Sequence, residues 1–128
     1  EDNNELKKIM EEYNLSEKEL FTIQTKNAEL NAWIIKPPNF DENKKYPLYM
    51  FVYGGPGSQQ VNNSFDYNYF WHQMLAQRGY VVACVDNRGT GGKGAEFKKM
   101  TYKEEENDEL YCYWGSSDFF GRIFLHMI

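Results

Sequence analysis

A glycine-rich turn that follows an apolar run carries the residue of this sequence best suited to chemistry. In the segment YGGPGSQ, Tyr53 stands directly before Gly54 and Gly55, after the apolar residues 48–52. Acyl transfer needs fixed donors aimed at the charge that develops on the oxyanion, and a tyrosine hydroxyl at a strand end can supply one. Tyr53 is therefore the candidate catalytic residue, and the alternative is an ordinary aromatic side chain that closes a strand.

A second glycine-rich turn, GTGGKG, matches the dinucleotide fingerprint G-x-G-x-x-G. In such a site the strand runs directly into the first glycine, but here Asp86, Asn87 and Arg88 intervene. No apolar strand ending in a single carboxylate follows, and a glycine after Lys93 excludes a P-loop. The turn is interpreted as a tight loop whose glycines allow positive φ and close packing. Dinucleotide binding through GTGGKG remains an alternative.

A serine nucleophile is not recognisable, because the sequence has no G-x-S-x-G. The nearest imitation, GSSDF, places Phe119 two residues after Ser117, where the sharp nucleophile turn needs glycine. His72 falls on a predicted helix and His126 lies almost at the last residue, so both are interpreted as helix-surface or packing residues. The chain is therefore expected to lack a Ser–Asp–His set and to be inactive alone, since such residues act as a unit.

Composition excludes several classes of protein. With 128 residues, 41% hydrophobic, the chain suits one ordered domain, and its net charge of −5 argues against a nucleic-acid surface. No apolar stretch approaches the roughly 20 residues of a membrane helix. Cys84 and Cys112 do not form a disulfide framework, and Cys84 is expected to be buried. The two histidines show no metal-ligand spacing.

The hydrophobic pattern predicts an α/β fold. A helix is predicted over residues 6–13, followed by two antiparallel strands around a turn at Lys26–Ala28. Residues 48–53 are apolar on both faces, which indicates a strand buried in the middle of a sheet. A helix over 65–79 and a buried strand over 80–86 follow, and this order predicts a parallel βαβ unit.

Two segments about 30 residues apart, YGGPGSQ and VDNRGTGGKG, resemble the catalytic domain of the prolyl oligopeptidase family. The resemblance covers about residues 5–102 and is strongest to the bacterial dipeptidyl-peptidase IV branch. It implies an α/β-hydrolase fold, a serine peptidase that releases dipeptides after proline, a peptide substrate, and no metal or organic cofactor. It also implies that Tyr53 is the oxyanion-hole donor, that Arg88 anchors its loop, and that the protein is periplasmic or exported.

The resemblance also implies a division of the chain. Residues 1–15 are expected to form a linker helix, 16–102 the N-terminal half of the hydrolase domain, and 103–128 a divergent or non-family tail. The sheet would then stop before the nucleophile elbow and leave the strand at 48–53 with an unpaired edge. Coverage by residues 122–128, pairing with another copy of the chain, or poor solubility is expected there. The alternative function is a non-catalytic interaction module built on half a hydrolase sheet.

Overall fold

The computed structural model describes residues 3–25, 28–52 and 57–100. These residues form three helices and four strands, which confirms the predicted α/β class. In chain order the elements are α1 (Asn4–Glu12), β1 (Lys18–Gln24), β2 (Glu29–Ile35), β3 (Leu48–Phe51), α2 (Tyr69–Gln77), β4 (Val81–Val85) and α3 (Gly94–Lys99).

The four strands form one mixed sheet in the order β1-β2-β4-β3. The hairpin of β1 and β2 is antiparallel, with Ile23 opposite Leu30, and β2 also pairs antiparallel with β4. β3 and β4 are parallel, with Phe51 opposite Cys84, and α2 connects them along the chain. The predicted hairpin followed by a parallel βαβ unit is therefore confirmed.

The core lies on both faces of β2 and β4. Alternate residues of a strand point to opposite faces, so Ala32 and Trp33 belong to different clusters. One cluster contains Ile23, Leu30, Ala32, Ile34, Val81 and Ala83, and the other contains Trp33, Ile35, Val61, Ala76, Val82 and Cys84. Helix α2 contributes to the second cluster, so these two strands are covered on both sides.

Among the described residues β3 is an edge strand, which is the unpaired edge expected of a sheet that stops before the nucleophile elbow, and it is less buried than the apolar pattern predicts. All four residues of β3 are only half-buried, and among the described strands β3 pairs with β4 alone. The inner strands of the described sheet are β2 and β4, and β4 pairs with β2 on one side and with β3 on the other. The tail that was expected to cover this edge, residues 122–128, lies outside the described residues.

The predicted N-terminal helix is present, and the segment after it is tied to α2. The backbone N–H of Ser16 donates to Gln73 Oε1 at 2.9 Å, and Gln73 Nε2 donates to the Ser16 carbonyl at 2.7 Å. One turn further along α2, Gln77 Nε2 donates to the Tyr13 carbonyl at 2.7 Å. Since Gln73 is 1% exposed, this pairing replaces water for two backbone groups and fixes where β1 begins.

Candidate functional site

The carboxyl ends of β3 and β4 meet at one edge of the sheet, which is the end where open α/β sheets place their ligands. Each of these strands is followed by one of the two glycine-rich turns. Tyr53, the predicted oxyanion donor, falls in the range 53–56 and lies outside the described residues. The structure describes the chain on either side of it, up to Val52 and from Gly57 onward.

A buried aspartate at the end of β4 holds the turn that follows residue 56. The carboxylate of Asp86 accepts the backbone N–H of Gln60 at 2.7 Å and that of Val61 at 3.1 Å. Asp86 is 6% exposed, and its own N–H donates to the Asn31 carbonyl at 2.9 Å. Burial raises the pKa of this carboxyl above 3.8, although the bonds from Gln60 and Val61 act in the opposite direction.

The two glycine-rich turns are packed against each other. The N–H of Gly57 donates to the Gly89 carbonyl at 3.0 Å, and a Cβ added at Gly91 would lie 3.5 Å from the Gly57 carbonyl oxygen. At Gly92, where φ is +88°, a Cβ would lie 3.3 Å from Gln59 Oε1. As the sequence predicts, the second turn uses positive φ, at Gly89, Gly92 and Gly94, and close packing, at Gly91 and Gly92, which lie against Gly57 and Gln59.

Lys93 also contacts protein atoms and helps to hold the second glycine-rich turn in place. Its Nζ donates to the Glu29 carbonyl at 2.7 Å, lies 3.8 Å from the Glu29 carboxylate and stands 5.5 Å from the ring centroid of Phe97. The lysine thus ties the second glycine-rich turn to β2. Helix α3, which begins at Gly94, has only six residues. These contacts do not favour a dinucleotide site.

His72 is a packing residue, one of the two possibilities left by the sequence. It is 1% exposed, with ring centroids 5.1 Å from Trp33 and 5.2 Å from Phe51, and neither ring nitrogen has a hydrogen-bond partner. Burial lowers the pKa of His72, Asp66 opposes this shift, and Lys18 adds to it. Burial thus favours the neutral form of this imidazole.

The sequence also pointed to groups that the structure does not describe or does not bring together. Ser117, His126 and Cys112 lie outside the described residues. Arg88 is half-buried in the second turn, and its anchoring role stays a prediction. Within residues 3–25, 28–52 and 57–100, no group of three His, Cys, Asp or Glu could hold a metal ion. In the same ranges, no helix is long and apolar enough to cross a membrane.

Cys84 is buried as predicted, and this gives a test of the core. It is 0% exposed, and burial raises the pKa of its thiol to about 12. The thiolate is the reactive form, so Cys84 should be inert in the folded chain. In a Cys112→Ser variant, Ellman's reagent should titrate no thiol in native buffer at pH 8 and one thiol in 6 M guanidinium. Rapid reaction of one thiol in native buffer would contradict the position of β4 in the sheet.

Comparison with known proteins gives consistent matches. The sequence model of the prolyl oligopeptidase family matches residues 64–111. The protein named "Probable dipeptidyl-aminopeptidase B" of Arthroderma benhamiae is 38% identical over an alignment of 125 residues, which covers 93% of this chain and 14% of that protein. The homologous protein of Podospora anserina is 47% identical over 91 residues, covering 71% of this chain and 10% of that protein.

Solved structures give the same result. The dipeptidyl peptidase 4 of Porphyromonas gingivalis superposes with a TM-score of 0.71 at 43% identity, over 88% of this chain and 17% of that one. The acylaminoacyl peptidase of Pyrococcus horikoshii superposes with a TM-score of 0.78 at 26% identity, over 98% of this chain and 20% of that one. The described sheet thus has the fold of a small part of these α/β-hydrolase-type peptidases.

Proposed function

We propose that this chain, which belongs to the prolyl oligopeptidase family, supplies the oxyanion-stabilising part of a serine peptidase that releases dipeptides after proline. The chain spans 14% of the length of the curated relative that it matches over 125 residues. The peptidase activity, its peptide substrate and its specificity therefore belong to the longer protein. The contribution assigned to this chain is the tyrosine hydroxyl of Tyr53.

The observation that carries this proposal is the fixing of the chain on both sides of Tyr53. Before it, β3 is hydrogen-bonded along β4 as far as the pair of Phe51 and Cys84. After it, the N–H of Gly57 is bonded to the Gly89 carbonyl in the turn that follows β4. An oxyanion donor is effective when it is held in place before the reaction, because no reorganisation is then needed as charge develops. The described chain on either side of residues 53–56 is thus bonded to β4 or to the turn that follows it.

In the complete domain, the serine hydroxyl attacks the scissile carbonyl carbon, and the histidine removes the hydroxyl proton. The carbonyl oxygen becomes an oxyanion, and Tyr53 O–H donates a hydrogen bond to it. This chain contains no G-x-S-x-G, so the serine is not recognisable in it. Removing one member of such a unit abolishes most of its rate enhancement, so we expect no measurable turnover from the chain alone.

A labelling experiment separates this proposal from the alternative of a non-catalytic interaction module. We define the graft as the dipeptidyl peptidase 4 of Porphyromonas gingivalis in which the aligned segment is replaced by residues 5–102 of this chain. A fluorophosphonate probe should leave the chain alone unlabelled and should label the graft, which supplies the serine nucleophile from the parent enzyme. Labelling of the chain alone at Ser117 would contradict the assignment. A folded graft that remains unlabelled would favour the interaction module.

Location outside the cytoplasm is a further part of the proposal. Bacterial proteins of the dipeptidyl peptidase 4 type are among the structures that this chain resembles, including one from Bacteroides ovatus at 30% identity. We propose on that resemblance that the protein is exported. Fractionation of the native cells, with the antigen followed by antibody, tests the assignment.

Self-association of the isolated chain is also proposed. β3 is half-buried and pairs only with β4 among the described strands, and an unpaired strand edge is a template for another chain. If the edge pairs with another copy, light scattering of the chain should give a mass above that of a monomer. If residues 122–128 cover the edge, the chain should be a monomer, and deletion of these residues should raise the mass. A monomer whose mass and stability are unchanged by the deletion would contradict both versions.

A further inference from the structure

We infer that His72 is an acid-sensitive element of the core, because its imidazole can take up a second proton only when α2 separates from the sheet. The inference concerns the conformation of the chain and does not depend on the proposed peptidase function. His72 lies on α2 and is 1% exposed. A protonated imidazole donates through both ring nitrogens and carries a full charge, and both must be compensated when the ring is buried. The surroundings of the ring therefore decide how the fold responds to acid.

Aromatic side chains of the sheet face the imidazole of His72. Its ring centroid lies 5.1 Å from that of Trp33 on β2 and 5.2 Å from that of Phe51 on β3. The ring of Tyr49, two residues earlier on β3, stands 6.5 Å away. Among the described residues, neither nitrogen of His72 has a hydrogen-bond partner. An aromatic face attracts a cation but offers an N–H no full acceptor, so an imidazolium would bury one more unpaired donor than the neutral ring.

The nearest charges do not offset this burial. Asp66, which precedes α2, attracts a cation at His72, but the Nζ of Lys18 on β1 lies 3.4 Å from the Asp66 carboxylate. The same Nζ donates to the Ser64 carbonyl at 2.9 Å, so the ammonium is held beside the carboxylate. Burial is the largest influence on the imidazole pKa and lowers it, Asp66 raises it, and Lys18 lowers it again. The balance leaves the pKa of His72 below its ordinary value of 6.5.

The remaining side chains around His72 supply no counter-charge. On the same face of the sheet, β2 contributes Trp33 and Ile35, and β4 contributes Cys84. The titratable groups on this face are the thiol of Cys84 and the phenol of Tyr49, and such groups carry no negative charge in mild acid. Helix α2 itself contains no charged side chain other than a protonated histidine. A proton that reaches the buried ring would thus bring a charge without a partner on the sheet.

The direction of the pH effect follows from the proton uptake of the two states. An unfolded chain protonates His72 near the ordinary pKa of 6.5, whereas the pKa in the folded chain is lower. Below pH 6.5 the unfolded chain therefore binds more protons, and the free energy of unfolding falls as the pH falls. This contribution is complete above pH 6.5 and declines from there to the lower pKa of the folded chain. If the folded chain takes up no proton, the unfolding constant should rise about tenfold between pH 7.5 and pH 5.5.

Urea unfolding at pH 7.5 and pH 5.5 measures this rise. The reference is the 128-residue chain with His126→Gln, which leaves His72 as the sole histidine because the sequence contains two. The matched variant adds His72→Phe, which keeps an aromatic ring beside Trp33 and Phe51 and cannot be protonated. We expect the unfolding constant to rise about tenfold in the reference and less than about twofold in the matched variant.

The comparison of the two proteins separates titration of His72 from other effects. The carboxylates are common to both, so their contributions to the pH dependence cancel. A substitution that only repacks the core would change the unfolding constant by the same factor at both pH values. Equal rises in the reference and in the matched variant, or no rise in the reference, would overturn the inference.

NMR of the unsubstituted chain tests the inference without any variant. The Trp33 indole N–H donates to the Gln60 carbonyl at 3.3 Å, and the Trp33 ring packs against His72, so the indole resonance reports the packing of α2 on the sheet. During an acid titration, the carbon shifts of the His72 imidazole should keep their neutral values for as long as the native Trp33 resonance persists, and both signals should disappear together. A charged His72 imidazole beside an unchanged Trp33 resonance would overturn the inference.

Discussion

Replacement of Tyr53 by phenylalanine in the graft should lower kcat for Gly-Pro-p-nitroanilide by about 10²–10³-fold, the usual cost of removing one oxyanion donor. The substitution removes one hydroxyl and keeps the aromatic ring, so it isolates the contribution of the hydroxyl. KM should change far less than kcat, because the hydroxyl is assigned to the charge that appears only in the transition state. Steady-state kinetics at several substrate concentrations separates the two constants.

Tyr49→Phe is the matched control for this substitution. Tyr49 lies on β3, four residues before Tyr53, and its half-buried ring stands 6.5 Å from that of His72. The variant also loses one tyrosine hydroxyl, and its kcat should stay within about twofold of that of the unsubstituted graft, because no catalytic role is assigned to Tyr49. Equal losses in the two variants would mean that Tyr53 acts through packing and does not stabilise an oxyanion.

Replacement of Trp33 by alanine in the chain itself should cost about 3–5 kcal/mol of unfolding free energy, the range for a buried tryptophan or phenylalanine. Trp33 is 1% exposed, donates through Nε1 to the Gln60 carbonyl and packs against His72. The variant therefore leaves a cavity and removes the hydrogen bond that holds the Gln60 carbonyl. Urea unfolding followed by circular dichroism gives the free energy for each variant.

Trp71→Ala provides the control for that measurement. Trp71 lies on α2 with 52% of its surface exposed, so its loss should change the unfolding free energy by less than about 1 kcal/mol. Both variants replace one tryptophan by alanine, so they differ only in whether the lost side chain was buried or exposed. A cost for Trp71→Ala as large as that for Trp33→Ala would place the core elsewhere than between the sheet and α2.

The strands could be predicted because their residues carry the signal locally. Phe21 and Ile23 alternate in β1, and Ile23 is 2% exposed opposite Leu30. The apolar run 81–85 predicted the strand that the structure places at the centre of the sheet. Positive φ at Gly92 likewise follows from a glycine pair in a short link between elements.

The buried face of α2 could not be predicted from hydrophobicity. Phe70 and Trp71 are 53% and 52% exposed, whereas His72 and Gln73 are 1% exposed and point into the protein. Gln73 can be buried because its partner lies far along the chain: the amide side chain is satisfied by the backbone of Ser16. A sequence pattern records the polarity of a side chain, but it does not record a distant backbone group that compensates its burial.

The role of Asp86 was missed for the same reason. In the sequence, Asp86 only separates the strand from the glycines, and its position argues against a dinucleotide fingerprint. Its partners, the N–H groups of Gln60 and Val61, lie about 25 residues earlier and become neighbours only through the parallel pairing of β3 and β4. A single carboxylate directly after a buried strand was the available signal, since such a group needs hydrogen-bond partners when it is buried.

Turnover of Gly-Pro-p-nitroanilide by the unsubstituted graft tests the central claim most directly, namely that this chain is the oxyanion-side part of a prolyl oligopeptidase-type catalytic domain. A displacement of about 1 Å in an active site can cost 10²-fold in rate, so activity survives only if residues 5–102 place Tyr53 correctly. We predict a kcat/KM within about tenfold of the parent enzyme. A graft that unfolds cooperatively at the temperature of the parent and shows no turnover would contradict the claim.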